Sequence, residues 1–425
     1  ELLMEIITGG VTAATGFEAA STAAGIKYQD RTDMALVYSQ APCVAAGTFT
    51  TNVVKAAPVK WDRQVIESGV PVQAVIVNSG IANACTGEEG FGYCKETAEA
   101  AAEALNIRAE GVTIGSTGVI GMQLPIEKVK AGIRVLAEKK NSSLDNGTDA
   151  ARAIMTTDTC EKELAAIIKV GEKTVTIGGM AKGSGMIHPN MCTMLAFITT
   201  DAVIGKDTLQ KALSEDVRDT YNMISVDGDT STNDTVLLLA NGMAENEEIQ
   251  YGTPEYEEFV KALHVVNEYL AKKIAGDGEG ATALFEVKAV GCESVEQAKT
   301  LAKAIVCSNL TKTAIAGHDA NWGRILCAMG YSGAQFDPEK VDLFFESEAG
   351  KIKIIENGTA VAYSEEEATR ILSQKEVTAI ADVKMGEAKA TAWGCDLTHG
   401  YIDINADRLY GHGTFRAVLP YEKRT

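Results

Sequence analysis

Short runs of hydrophobic residues, most of them rich in β-branched side chains, recur along the chain and lie close to Gly, Asn or Asp. Such runs between turn-forming residues are typical of buried β-strands. The pattern predicts strands at residues 74–78, 112–115, 173–177, 194–199, 235–240, 284–290 and 341–345.

Amphipathic segments separate these runs. The clearest covers residues 254–274, where a proline stands at the start and Phe259, Leu263, Val266 and Leu270 follow at helical spacing. That spacing places the four side chains on one face of a helix. Because helices and strands follow one another without a regular strand–helix–strand repeat, the order favours α+β layers over a doubly wound parallel sheet. Further helices are predicted at residues 95–105, 207–223, 295–307 and 365–372.

The length of 425 residues exceeds what one ordinary hydrophobic core serves, so we expect two or three packed lobes. A hydrophobic content of 46% and a mean hydropathy of -0.01 are typical of a globular protein. Polar, turn-rich residues 141–149 form one candidate joint between lobes, and residues 310–321 form another.

The net charge of -19 argues against a general electrostatic interaction with nucleic acid. The nine cysteines are scattered and form no CxxC pair, which argues against a disulfide framework or a zinc site and fits a reducing cytoplasm. Residues 1–10 lack the basic start and apolar core of a signal peptide. No run approaches the ~20 apolar residues that a membrane helix needs.

The segment with the densest chemistry covers residues 178–202, where glycines surround Lys182 and are followed by His188 and Thr193. The residues alone leave three interpretations open. Residues 178–185 form a glycine-rich loop that could cradle phosphate, although they lack the order of a P-loop. Lys182 could instead hold pyridoxal phosphate, or the segment could be a plain strand–turn–strand. His188 fits a structural turn residue and a neighbour of a site equally well.

Eight motifs in order resemble the bifunctional ornithine acetyltransferase / glutamate N-acetyltransferase family. The resemblance extends over almost the whole chain and implies a layered α+β sandwich similar to N-terminal-nucleophile hydrolases. It also implies transfer of acetyl from N2-acetyl-L-ornithine to L-glutamate through an acetyl-threonine intermediate. The motifs are VTAATGF (11–17), NSGIANACTG (78–87), GSTGVIG (115–121), MTTDT (155–159), KGSGMIHPNMCTMLAFITTDA (182–202), GDGEGAT (276–282), NWGRI (321–325) and INAD (404–407).

The resemblance implies that the chain cuts itself between Cys192 and Thr193, giving an α fragment, 1–192, and a β fragment, 193–425. Cutting frees the α-amine of Thr193, whose pKa near ~8 lets it act as the base for its own hydroxyl. The family usually has Ala before this Thr, so Cys192 departs from its pattern. The fragments are expected to stay together in a heterotetramer of two α and two β fragments.

The family's site residues carry over to matching positions of this chain. Thr117 and Gly118 would form the oxyanion hole, although from the residues alone a tight strand-loop is the simpler interpretation. Losing one oxyanion donor typically costs about 2.7–4 kcal/mol. Lys182 would pair with a substrate carboxylate and Glu279 with a cationic amine. The implied substrate contacts are Thr156, Lys182, Thr193, Glu279 and Asn405.

The end of the chain departs from the family pattern. A Ser or Thr is expected five residues after Asn405, but Tyr410 stands there, and further residues lead to Thr425. The resemblance implies no cofactor and no metal, and it allows acetyl-CoA as a co-substrate. Two other functions stay open: an N-terminal-nucleophile aminopeptidase or amidase, and a non-catalytic amino-acid-binding protein on the same fold.

Overall fold

The computed structural model describes residues 4–188 and 194–409, with side chains up to residue 406. Within these residues the strands are β1 (Met4–Ile7), β2 (Phe17–Thr22), β3 (Met34–Phe49), β4 (Val72–Ile81), β5 (Val112–Val119), β6 (Lys162–Val170), β7 (Lys173–Lys182), β8 (Leu195–Thr200), β9 (Thr235–Ala240), β10 (Leu284–Cys292), β11 (Asp342–Ser347), β12 (Gly350–Glu356), β13 (Thr359–Ala360), β14 (Glu376–Asp382) and β15 (Ala388–Cys395). The α-helices are α1 (Ala57–Ser68), α2 (Gly87–Leu105), α3 (Ile126–Lys139), α4 (Leu144–Ala153), α5 (Lys206–Asp219), α6 (Pro254–Gly276), α7 (Val295–Cys307), α8 (Asn309–Ala316), α9 (Trp322–Tyr331), α10 (Glu365–Leu372) and α11 (His399–Leu409).

The larger sheet has the strand order β1-β6-β7-β8-β9-β3-β4-β5, with β2 paired to β3. Strand β3 joins its two parts, because residues 34–39 pair with β2 and residues 44–49 pair with β9. Pro42 lies between these two stretches, where the register against β4 also shifts. A proline cannot donate to a ladder, so it fits the point at which the strand changes partners.

The second sheet has the order β13-β12-β11-β14-β10-β15. Helix α6 lies between the sheets, since it packs against β6 and β7 of the larger one and β10 and β15 of the second. Phe259, Leu263, Val266 and Leu270 are fully buried, which confirms the predicted apolar face of this helix. Helix α7 covers β10 and β15, and α2 and α3 pack on each other beside β5 and β2. The α+β layered fold predicted from the sequence is confirmed.

Both predicted joints are wrong. Residues 144–149 belong to α4, which starts at Ser143 because its Oγ accepts the backbone N–H of Asn146. Residues 310–316 belong to α8. Both helices are short and contain several polar residues, a composition that is also typical of loops. No helix of the described segments has both the length and the apolar character that a membrane crossing requires.

Candidate functional site

The glycines before Lys182 lie in a strand, so the predicted glycine-rich loop is wrong over its first five residues. Residues 178–182 end β7, which pairs with β8 in antiparallel register. A Cβ on Gly178 would lie 2.0 Å from the carbonyl oxygen of Gly10, so this glycine permits close packing. The strand–turn–strand interpretation therefore describes these residues, and the phosphate-binding loop does not.

Lys182 brings together three residues that the sequence assigned to one site. It is 7% exposed, and its Nζ donates to Thr117 Oγ1 and to Thr156 Oγ1, each at 3.0 Å. Thr117 lies near the end of β5, and Thr156 lies between α4 and β6. The end of β7 thus presents a buried cation to two hydroxyl groups that are distant in the sequence.

Asp158 stabilises this arrangement, although this residue was not among those predicted from the sequence. Its Oδ1 accepts the Gly183 N–H at 2.7 Å, and its Oδ2 accepts the Thr156 N–H at 3.0 Å. Burial alone would raise the pKa of Asp158, but the ammonium groups of Lys182 and Lys162 hold it well below its usual range. Asp158 is therefore ionised, and its position two residues after Thr156 was the available sequence signal.

Lys162 is a second buried cation and links distant parts of the chain. Its Nζ donates to Asp158 Oδ1 at 2.8 Å and to Asp277 Oδ2 at 2.7 Å. Burial alone would lower the pKa of Lys162, but these two carboxylates raise it. Removing one partner would leave a buried charge unpaired, which is costly. Lys162 therefore holds Asp158 next to the loop that carries Asp277.

Glu279 lies in the same loop and is buried, with 3% of its surface exposed. Its carboxylate accepts from Thr157 Oγ1 at 2.7 Å and from Asn405 Nδ2 at 2.7 Å. A Cβ on Gly185 would lie 2.3 Å from this carboxyl carbon, so the glycine makes room for it. The structure therefore brings Asn405 of α11 to Glu279, and this loop carboxylate is buried and hydrogen-bonded, not solvated.

Gly118 stands beside Thr117 where β5 pairs with β4. Its φ of 135° lies in a region that favours glycine, and a Cβ there would lie 2.2 Å from the carbonyl carbon of Gly80. Thr117 is half-buried and Gly118 is exposed. The backbone at this position is thus open to a ligand, next to the hydroxyl that Lys182 contacts.

Cys192 and Thr193 lie outside the described residues, as do Tyr410 and Thr425. The described residues on the downstream side are close to the site. Leu195 pairs with Lys182, and the carbonyl of Met194 accepts the Thr235 N–H at 2.9 Å.

The two residues just before β9 also lie close to the site, although nothing in the sequence pointed to them. Asn233 Nδ2 donates to Ala82 O at 2.7 Å and to Ser116 O at 2.8 Å, which ties the end of β5 to the start of β9. Asp234 is fully buried, and its Oδ2 has no hydrogen-bond partner among the described residues. Burial raises the pKa of Asp234 well above its ordinary value, although Lys182 opposes this.

His188 contacts the segment that leads into β9. Its Nδ1 lies 3.1 Å from Ser225 Oγ, and its carbonyl accepts from Thr230 Oγ1 at 2.7 Å. Burial and, secondarily, the Lys303 ammonium lower its pKa to about 4, so the ring is neutral at pH 7. In the described parts of the chain, His, Cys, Asp and Glu form no group that could hold a metal ion.

These contacts link the Lys182 ammonium and the Glu279 carboxylate through the hydroxyls of two consecutive residues, Thr156 and Thr157. Such an arrangement can orient a small ligand that carries both a carboxylate and an ammonium group. The Thr117 hydroxyl and the Gly118 backbone lie at its edge.

Comparison with known proteins gives a consistent result. A family model described as the ArgJ family matches residues 18–409. The chain is 54% identical over 404 residues to the Arginine biosynthesis bifunctional protein ArgJ of Symbiobacterium thermophilum, with 95% of this chain and 99% of the relative covered. A protein of the same name from Thermotoga neapolitana is 53% identical over 391 residues, with 92% and 98% covered.

Two solved structures are also similar to this chain. One is the Arginine biosynthesis bifunctional protein argJ from Bacillus halodurans, at 47% identity and a TM-score of 0.48, with 50% of this chain and 99% of that chain covered. The other is the ornithine acetyltransferase of Mycobacterium tuberculosis complexed with ornithine, at 46% identity and a TM-score of 0.42, with 44% and 98% covered.

Proposed function

Because this chain belongs to the ArgJ family, we propose that it is an acetyltransferase of arginine biosynthesis that moves acetyl from N2-acetyl-L-ornithine to L-glutamate. The observation that carries the proposal is the buried Lys182, which donates to Thr117 and Thr156 beside the start of β8. The relatives are named bifunctional, which supports a second transfer from acetyl-CoA to glutamate.

Thr193 is the proposed nucleophile. Its free α-amine takes the hydroxyl proton while Oγ attacks the acetyl carbonyl of acetylornithine. The tetrahedral oxyanion is stabilised by the Thr117 hydroxyl and the Gly118 N–H. The C–N bond then breaks, the ornithine nitrogen takes the proton, and an acetyl ester remains on Thr193. The amine of glutamate attacks this ester, which gives N-acetyl-L-glutamate and restores the hydroxyl.

The same hydroxyl would mature the enzyme. Thr193 Oγ attacks the Cys192 carbonyl, the peptide bond breaks as an ester forms, and water hydrolyses the ester to leave fragments 1–192 and 193–425. Strand β7 of the first fragment pairs with β8 of the second, which supports their continued association. Two such pairs are proposed to form the heterotetramer. The cysteines of the described residues are all free thiols, which supports a reducing, cytoplasmic location.

Lys182 and Glu279 are proposed to recognise the two charges of the amino-acid substrates. Lys182 pairs with the α-carboxylate that acetylornithine and glutamate share, and Glu279 pairs with the cationic amine of ornithine. Thr156 and Asn405 hold these two side chains through the contacts described above. Charge-assisted hydrogen bonds of this kind are roughly twice as strong as neutral ones.

The decisive experiment combines intact mass with a transfer assay. Under denaturing conditions the purified chain should give two fragments that meet between Cys192 and Thr193, whereas Thr193→Ala should stay whole and inactive. Release of more than one equivalent of ornithine per enzyme should require glutamate, since an amidase would turn over acetylornithine without glutamate. Mass spectrometry should trap acetyl on Thr193 when glutamate is withheld. A binding protein without catalysis would give no such adduct.

A further inference from the structure

The loop that leads into β9, residues 225–235, contacts the chain on both sides of the proposed cut and is called the clamp loop below. On the upstream side, the N–H of Val226 donates to the carbonyl of Ile187 at 2.7 Å. On the downstream side, the N–H of Thr235 donates to the carbonyl of Met194 at 2.9 Å. One short segment therefore sets the separation of the two chain ends that flank residues 189–193.

Asp227 makes the strongest upstream contact of the clamp loop. Its Oδ2 accepts the N–H of Met186 at 2.6 Å, and its Oδ1 accepts the N–H of Ile187 at 2.8 Å. Met186 has a φ of 57°, a left-handed conformation that side chains other than glycine adopt at a cost. Two consecutive backbone donors on one carboxylate offset that cost and fix the direction in which the chain leaves Ile187.

Two further donors orient the carboxylate itself. The hydroxyl of Tyr401 donates to Asp227 Oδ2 at 3.0 Å, and the N–H of Asp229 donates to Oδ1 at 3.3 Å. Asp227 is thus held by its own loop and by α11 while it holds Met186 and Ile187. None of the groups described for the acetyl-transfer site is among these partners.

We propose that Asp227 is a positioning residue for self-cleavage. The inference rests on the proposed function, because it assumes a cut between Cys192 and Thr193. An intramolecular attack is fast only when the hydroxyl and the carbonyl are held close together and aligned, and a misplacement of about 1 Å can cost roughly 100-fold. Asp227 holds Met186 and Ile187 on the upstream side, and Thr235 holds Met194 on the downstream side, so both described ends are fixed in place before the attack.

The test compares cleavage of the full-length chain with that of two variants during timed cell-free synthesis, with intact mass as the readout. Asp227→Asn retains the size of the side chain but replaces one acceptor oxygen by a donor that faces a backbone N–H. We expect it to cut roughly 10- to 100-fold more slowly than the unsubstituted chain. Asp229→Asn is the matched control on the same loop, since its exposed carboxylate is not the acceptor for Met186 or Ile187, and it should cut at the unsubstituted rate.

A structural role is distinguished in the uncut Thr193→Ala background. In that background, Asp227→Asn should change the midpoint of thermal unfolding by no more than a few degrees. Hydrogen exchange at the backbone amides of Met186 and Ile187 should become faster. Unchanged cleavage in Asp227→Asn, or slowing that only follows a lower midpoint, overturns the inference and leaves the proposed function intact. Absence of fragments from the unsubstituted chain instead refutes the proposed self-cleavage, and the inference with it.

Discussion

Thr156 and Thr157 are neighbours in the chain, yet their hydroxyl groups serve opposite charges. Thr156 Oγ1 accepts a hydrogen bond from the Lys182 ammonium at 3.0 Å, whereas Thr157 Oγ1 donates one to the Glu279 carboxylate at 2.7 Å. A hydroxyl group can both donate and accept, so the same residue type fits both partners. A single step along the chain therefore separates a cationic region from an anionic region of one site.

The two regions also differ in the side chains that contact their charged groups. Lys182 has the ionised Asp158 nearby, and that carboxylate is in turn held by Lys162. The contacts of Glu279 with Thr157 and Asn405 are with neutral groups. The cationic region is therefore held by charge pairing within the protein, whereas the carboxylate of the anionic region accepts hydrogen bonds from a hydroxyl and an amide.

The largest effect is expected where the cationic region is anchored. Asp158→Asn leaves the buried Lys162 and Lys182 without one of their anions, so it should lower the free energy of unfolding by about 3–5 kcal/mol. Denaturant titration of this variant measures the loss. Asp149→Asn, on the exposed side of α4, should change stability by less than about 0.5 kcal/mol.

The pH dependence of stability checks the same anchor. The pKa of Asp158 in the folded chain lies below its unfolded value of about 3.9. Its contribution is therefore present above about pH 4 and is lost as pH falls toward the native pKa. The thermal midpoint of the unsubstituted chain should fall over this window more steeply than that of Asp158→Asn.

Lys182→Met should cause the next largest loss. The substitution removes the donor to Thr117 and Thr156, which is also the proposed partner of the substrate carboxylate. We expect this loss to cost roughly 3 kcal/mol, which is about 150-fold in kcat/KM. Both half-reactions should suffer, because both substrates carry that carboxylate. Lys169→Met, an exposed lysine of β6, is the matched control and should retain activity. Retained transfer in Lys182→Met would contradict the proposed role.

Glu279→Gln should separate the two regions. The loss of charge should reduce kcat/KM for acetylornithine by roughly 2 kcal/mol, about 30-fold. The attack of glutamate on the acetyl-enzyme should change far less, since glutamate has no cationic side chain. Single-turnover measurements of each half-reaction give the two numbers. Equal losses in both would show that Glu279 maintains the site as a whole instead of selecting ornithine.

The smallest effects are expected from the two threonines. Thr156→Val removes one acceptor for Lys182, and Thr157→Val removes one donor to Glu279. Each substitution should cost roughly 1 kcal/mol, which is about fivefold in rate. The first should slow both half-reactions, and the second should act mainly on acetylornithine. The pair is its own control, because the substitutions are chemically identical and adjacent. The same profile in both variants would contradict the division into two regions.

The sequence predicted most reliably what depends on local pattern. Helices α7 and α10 and strand β9 have the predicted bounds, and Ser294 and Ser364 cap the two helices by accepting a backbone N–H. Strand β3 was not predicted, because Pro42 and the polar residues around it interrupt the hydrophobic run. Its continuity depends on two different partner strands, which a local pattern does not contain.

The candidate site residues were predicted from motifs of the resemblance and not from physical reasoning. Lys182, Thr117 and Thr156 meet as the family resemblance implied, but their spacing in the sequence gave no geometric reason for it. The triad of Lys162 with Asp158 and Asp277 was missed, because a charged residue in a sequence looks solvated. Its burial depends on a contact across 115 positions, which only the tertiary fold supplies.

The strand order of the larger sheet has a consequence for how the mature enzyme refolds. Strands β8 and β9 lie between β7 and β3, so the proposed cut places two strands of one fragment inside a sheet built mostly by the other. Denatured mature enzyme must then reassemble in a second-order reaction, which slows in proportion to dilution, whereas the uncut chain refolds in a first-order process. The proposed maturation would thus make recovery of the fold depend on concentration.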